Sequence, residues 1–162
     1  MRFYPASLLI TAAVFLPNLL LLALPPLNFR KYGKSSDSLA FTIIERAGQV
    51  SCFILPLLFS LSFTGSLVIA AWIVMGVSLG FYYAGWIRFF VQGRDYSLLY
   101  RPLIGLPVPL AISPVIYFLF ASLVLGSVYQ AIAAVVLGVG HISISIHESH
   151  RIGAGLPPRR HS

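Results

Sequence analysis

SLVIAAWIVMGVSLGFYYAGWIRFFV, residues 66–91, carries a single ionised side chain, Arg88, close to its end. As an α-helix this stretch would be about 39 Å long at 1.5 Å per residue. That exceeds the ~30 Å of hydrocarbon in a bilayer. No polar face interrupts it, so water on any side would meet apolar surface. The stretch predicts a membrane-crossing helix, and the rest of the chain repeats the pattern.

Of 162 residues, 58% are hydrophobic and 9% charged, and the mean hydropathy is +0.89. Soluble domains carry roughly a quarter of their residues as charges, which supply the outer helix faces and loops. Further apolar runs lie at about 7–25, 47–63, 106–125 and 128–146. Because unpaired backbone groups cannot be left in hydrocarbon, each run is expected to be helical. The chain therefore reads as all-α, a polytopic transmembrane helical bundle of about five spans in one domain over residues 1–162, with a short tail from 147 to 162. The second span has an alternative start: Asp37 and Ser38 resemble an N-cap, which would begin the helix near Leu39 and carry Glu45 and Arg46 inside it.

The net charge of +7 is spread over short loops between apolar runs rather than along one face or arm, which argues against nucleic acid as a partner. Arg30, Lys31, Lys34 and Arg46 fall between the first two spans, Arg88, Arg94 and Arg101 around the third link, and Arg151, Arg159 and Arg160 after the last span. Arg2 alone lies on the other side. Basic loops stay in the cytoplasm, so the N-terminus is expected outside and the C-terminus inside a cytoplasmic membrane, which the chain crosses several times. A cleavable leader over the first run is a rival reading, but it would place the FRKYGK loop outside against its charges. Cys52 has no second cysteine to pair with and reads as a buried thiol.

Pro17, Pro56 and Pro114 should each kink or open a helix by deleting a backbone donor. Gly76, Gly80 and Ala84 recur every four residues and predict a helix-packing face, with Ala134 and Gly138 as a possible counterpart. Tyr4, Tyr82, Tyr83, Trp86, Tyr96, Tyr100 and Tyr129 fall near expected interfaces, as an aromatic belt would.

Asp37, Glu45, Asp95 and Glu148 all lie toward the basic side, as do the four histidines. GHISISIHESHRI, residues 140–152, holds three of those histidines. At 100° per residue His141, Ser145 and Glu148 share one face, and His147 and Arg151 share another. One helix cannot gather the imidazoles, HESH lacks the HExxH spacing, and no metal or other cofactor is expected. His141 lies deeper than the others, where an ionisable group needs a partner. Glu45 is the natural candidate, and together they form a candidate catalytic pair that could pass a proton; a hydrogen bond from His141 to a carbonyl or to Tyr117 is the plainer alternative. Arg46, Arg88, Arg94 and Arg101, with Asp95, are candidates for holding an anionic lipid head group, although the preference for basic residues on this side would place arginines there in any case. Asn18 and Gln49 are expected to hydrogen-bond between helices.

The strings ERAGQ, YYAGWIRFFVQGRD, LLYRPLIGLPVPLAISPVIYF and GVGHI resemble those of small multi-pass bacterial membrane proteins. The resemblance implies an inner-membrane setting and carries no activity. The leading expectation is a non-catalytic binding or accessory component, with membrane lipids and a second copy or another membrane protein as possible partners. The alternatives are a membrane-embedded enzyme on a lipid or isoprenoid substrate, or a small oligomeric permease lined by Asn18, Gln49 and His141.

Overall fold

The computed structural model describes residues 3–28 and 38–154. These contain five α-helices: α1 (Leu8–Ala23), α2 (Leu39–Ile54), α3 (Ser66–Val91), α4 (Pro109–Leu125) and α5 (Val128–Gly153). Short 3-10 turns at Pro5–Ser7 and Leu55–Leu58 lengthen α1 and α2, and a third, Tyr96–Leu99, interrupts the link from α3 to α4. Among the described residues there is no named strand, and four helical runs are long and apolar enough to cross a membrane: Pro5–Ala23, Leu39–Leu58, Ser66–Val91 and Val128–Gly153. Helix α4 is the shorter apolar one, at 17 residues the lower limit for a span.

Helix boundaries differ from expectation at two ends. The second helix starts at Leu39, the alternative start, and tightens into its 3-10 turn at Pro56, so the span expected at 47–63 sits earlier. The last helix runs on through the expected tail to Gly153. Ser38 stands at the N-cap position without a side-chain cap bond; Asp37 lies outside the described residues, as do Arg2, Arg30, Lys31, Lys34, Arg159 and Arg160.

The helices form a ring. Helix α5 packs on α2 and on α4, α4 packs on α3, and α1 rests on α3 and on the turn after α2. At one rim Tyr4 N–H donates to Leu57 O (2.9 Å) and Ser62 N–H to Val124 O (2.9 Å). At the other, the basic rim, Leu27 N–H donates to Arg94 O (2.8 Å) and Ser149 Oγ to Tyr100 O (3.1 Å). Large apolar side chains remain exposed on every helix, including Leu9, Ile43, Ile73, Leu123 and Val135, the surface that lipid covers.

Of the two small-residue faces expected to pack, Ala134 and Gly138 are in the bundle, with Val115 3.0 Å from where a Gly138 Cβ would stand, and the α3 stripe is not. Gly76 and Gly80 have no neighbour within 4 Å of where a Cβ would stand, and Ala84 is exposed, so the small-residue stripe of α3 points out of the bundle. The inward face of α3 bears Met75, Tyr82, Trp86 and Phe89, which fill the ring. Tyr82 and Trp86 are thus core residues, a correction to the aromatic belt. The tight seam is α2 against α5: a Cβ on Gly48 would collide with the Leu137 backbone, and one on Gly140 would lie 2.5 Å from Glu45 N. A main-chain atom cannot swing aside as a side chain can, so alanine there would cost about 1 to 3 kcal/mol.

Candidate functional site

The α2–α5 seam sets the first part of the site. Gly140 lets the two backbones touch at Glu45, and the next residue, His141, then reaches the Glu45 carboxylate: Nδ1 and Oε1 are 2.6 Å apart. A contact this short between an imidazole and a carboxyl group is a charge-assisted hydrogen bond. Both side chains are mostly buried, at 26% and 14% exposure. Gln49, one turn along α2, donates weakly to the same Oε1 (3.4 Å) and accepts from Arg46 (3.1 Å). Arg46 itself is exposed on the outside of α2. Tyr117 is not the partner of His141.

Behind this pair the ring of helices leaves a cavity of about 230 Å³. Each helix contributes to its wall: Asn18 from α1, Gln49 and Phe53 from α2, Tyr82 and Trp86 from α3, Pro114 and Phe118 from α4, His141 and Ser145 from α5. Leu99 and Tyr100, from the link between α3 and α4, complete the lining on the basic side. Toward the plain rim the wall is aromatic, with Phe53 and Phe118 packed edge to face at 6.0 Å. Arg, Lys, Asp and Glu are absent from the described wall.

The α1 side is fixed by two tyrosines. Tyr83 OH donates to Ala13 O (2.8 Å), the carbonyl four residues before Pro17. Tyr82 OH donates to Val14 O (3.1 Å) and accepts from Asn18 Nδ2 (2.8 Å). Beside it the Trp86 indole N–H is buried, closed off from the cavity, and interacts with Tyr82.

The arginines expected to hold a head group do not converge. Arg88 donates to three main-chain carbonyls, Pro102 O (2.8 Å), Arg101 O (2.8 Å) and Leu98 O (3.0 Å), and so ties the α3–α4 link to its own helix. Arg94 caps α3 from a left-handed conformation (φ 57°), and its carbonyl receives Leu27. Arg101 is exposed beside a second pocket of about 340 Å³, formed with Ser97, Ser149 and Ile152. Asp95 is a structural cap: Oδ1 accepts from Ser97 N–H (2.8 Å) and Oδ2 from Asn28 (3.0 Å). The hydrogen bonds from Ser97 hold its carboxyl below the ordinary range against the opposing effect of burial, and Asn28 and the Arg101 charge add to the lowering.

One buried charge pair went unassigned in the sequence. Glu148, 2% exposed, is gripped by Arg151 through Nε (2.8 Å) and a second guanidinium nitrogen, and receives the Tyr96 hydroxyl at 3.3 Å. Burial pushes the Tyr96 phenol far up, as do Tyr100 and Glu148 beside it, so it stays protonated as a donor. The i,i+3 spacing of Glu148 and Arg151 was available in the sequence; the burial was not. Among the described residues no group of three or more His, Cys, Asp or Glu is placed to hold a metal ion, and His147 and His150 are both exposed. No family model, curated protein or solved structure matches the chain.

Proposed function

We propose that this chain is a non-catalytic binding component of a bacterial cytoplasmic membrane, and that it holds a small lipid-soluble molecule in the cavity at the centre of its bundle. The observation that carries this reading is the cavity itself: all five helices line it, and it has polar groups at its basic end and aromatic rings at the other. The pocket is partly open, with apolar walls and a few convergent polar groups, the usual form of a small-molecule site. The polar side chains of Asn18, Gln49, His141 and Ser145 offer an occupant hydrogen bonds there.

The enzyme alternative loses support because it required arginines gathered over an anionic head group, whereas Arg88 is engaged by carbonyls and Arg46 stands on the outer face of α2. A permease would draw on the same Asn18, Gln49 and His141, yet toward the plain rim the wall is a pair of phenylalanines rather than a polar path. The Glu45–His141 pair then serves recognition, by fixing the imidazole in one orientation.

Native mass spectrometry after extraction in mild detergent tests the reading. Wild-type protein is expected to carry a small non-covalent adduct. Ser145→Leu, which fills the cavity from α5, is expected to lose it while keeping its melting temperature within a few degrees. A wild-type spectrum with detergent alone, or an adduct untouched by Ser145→Leu, would sink the proposal.

A further inference from the structure

Among the described residues no arginine or lysine lines the cavity, so an anionic group held inside it would lie without a counter-charge. The edge of the cavity is different, and this step rests on the binding role proposed above. The hydrogen bonds and ring contacts that join the α1 side to the α2 side all lie toward the plain rim. Ser7 Oγ donates to Phe59 O (2.7 Å), Thr11 Oγ1 donates to Phe53 O (3.3 Å), and the Phe15 and Phe53 rings meet edge to face at 5.7 Å. About two helical turns nearer the basic rim, Leu22 repeats the face of Phe15 and Arg46 repeats the face of Phe53. Helices running side by side would bury these two against each other. Instead Leu22 is 83% exposed and Arg46 is exposed as well. The two helices therefore diverge, and the gap between them borders Asn18 and Gln49 of the cavity wall.

Arg46 stands at this gap in apolar company. Ile43 and Val50, its neighbours one turn away on α2, are 58% and 55% exposed, so lipid surrounds this face. An ionised side chain in such a place normally has a partner of opposite charge. Among the described residues Arg46 forms no salt bridge: the Glu45 carboxylate is turned into the α5 seam, on His141, and the guanidinium donates to Gln49 Oε1 (3.1 Å). Because Gln49 lines the cavity, one amide separates this cation from the space. A guanidinium has five N–H donors in a planar fork that matches phosphate oxygens.

We infer that the cavity takes one chain of a membrane lipid with an anionic head group, which enters through the gap between α1 and α2 and places its phosphate on Arg46. At about 230 Å³ the space is below the roughly 300 Å³ or more of a pocket for a drug-sized ligand, so it holds the end of a lipid rather than the whole molecule. Asn18 and Gln49 then stand at the level of the ester groups, and Phe53 and Phe118 receive the hydrocarbon. The remainder of the lipid stays in the gap, against the surrounding bilayer.

The purified chain in mild detergent is titrated with dioleoyl phosphatidylglycerol, or with dioleoyl phosphatidylcholine, which has the same chains and a head group without net charge. Native mass spectrometry reads the bound lipid. Wild-type protein is expected to retain one phosphatidylglycerol per chain about tenfold more tightly than phosphatidylcholine, the worth of a hydrogen bond to a charged group. Arg46→Gln is expected to lower phosphatidylglycerol to the level of phosphatidylcholine, and Arg46→Lys, which keeps the charge, to recover part of the difference. Arg101→Gln, at an exposed arginine of the same rim, is expected to change nothing. Ser145→Leu is expected to lose both lipids. Equal retention of the two lipids, no effect of Arg46→Gln, an equal loss in Arg101→Gln, or full retention by Ser145→Leu would each overturn the lipid assignment. If the adduct carried by the protein as extracted is still removed by Ser145→Leu, binding in the cavity survives that failure; if wild-type protein carries none, both proposals fall together.

Discussion

A proline inside a lipid-embedded helix leaves the carbonyl four residues earlier without its donor, and no water is at hand to replace it. In α1 that carbonyl belongs to Ala13, and the Tyr83 hydroxyl of α3 fills the gap at 2.8 Å. One interaction thus repairs a helix and joins two helices. Tyr83→Phe is expected to cost about 1 kcal/mol, the usual worth of a hydrogen bond between membrane helices, seen as a melting temperature lower by about 2 to 4 °C in detergent. Tyr129→Phe, at a residue 64% exposed to lipid, serves as the neutral comparison; equal losses in both would refute the assignment. Pro17 announces its missing donor in the sequence, but nothing there says which residue answers. Tyr82 and Tyr83 read as interfacial because tyrosine is commonest there, and their burial follows from where α1 lies. The Glu45–His141 pairing was more legible, since two isolated ionisable groups at similar depth have few other partners. Gly140 lets them meet, and nothing in the sequence says that the Glu45 backbone lies against it.

The link from α3 to α4 shows why charge alone misleads at the scale of an element. Its glycine, prolines and Arg-Asp pair rule out one continuous helix, and the structure indeed breaks it into the turn Tyr96–Leu99 and irregular backbone. Its arginines suggested phosphate, because a basic rim and a phosphate site contain the same residue type. The difference lies in the main-chain carbonyls of Leu98, Arg101 and Pro102, whose convergence on Arg88 depends on a turn geometry that no spacing rule supplies. Asp95 starts that turn through Ser97 N–H and reaches Asn28, after α1. Its carboxyl titrates below the ordinary value near 3.8. A depressed carboxylate stabilises the fold fully above its unfolded pKa, and the contribution disappears as pH falls through the folded value. Hydrogen exchange over residues 94–100 is therefore expected to be unchanged from pH 7 to about 5 once corrected for intrinsic rate, then to accelerate below about pH 4. Asp95→Asn keeps a cap oxygen without the titration, and its exchange should lack that acid-dependent rise. An identical rise in the variant would place the sensitivity elsewhere.

For the whole molecule, hydropathy indicates how many helices there are but not which packs on which. Length and composition point to an all-helical membrane bundle, while its closure into a ring around a cavity depends on the inward face of α3 being the bulky one and on the α2–α5 seam holding the glycines. The small-residue stripe on α3 was the most regular sequence signal for packing, and it faces outward, because regular spacing defines a face without saying what lies opposite. Orientation is a separate matter, governed by the excess of Lys and Arg at one rim. In a Cys52→Ser background, which removes a thiol with 0% exposure, single cysteines introduced at Thr64 and Gly153 report opposite rims from exposed positions. A membrane-impermeant maleimide added to intact cells is expected to label Thr64→Cys at once and Gly153→Cys only after permeabilisation. The reverse pattern would invert the protein in its membrane. Labelling of both from outside would mean that an odd number of α3, α4 and α5 fail to cross, and the short helix α4 would be the first removed from the count of spans.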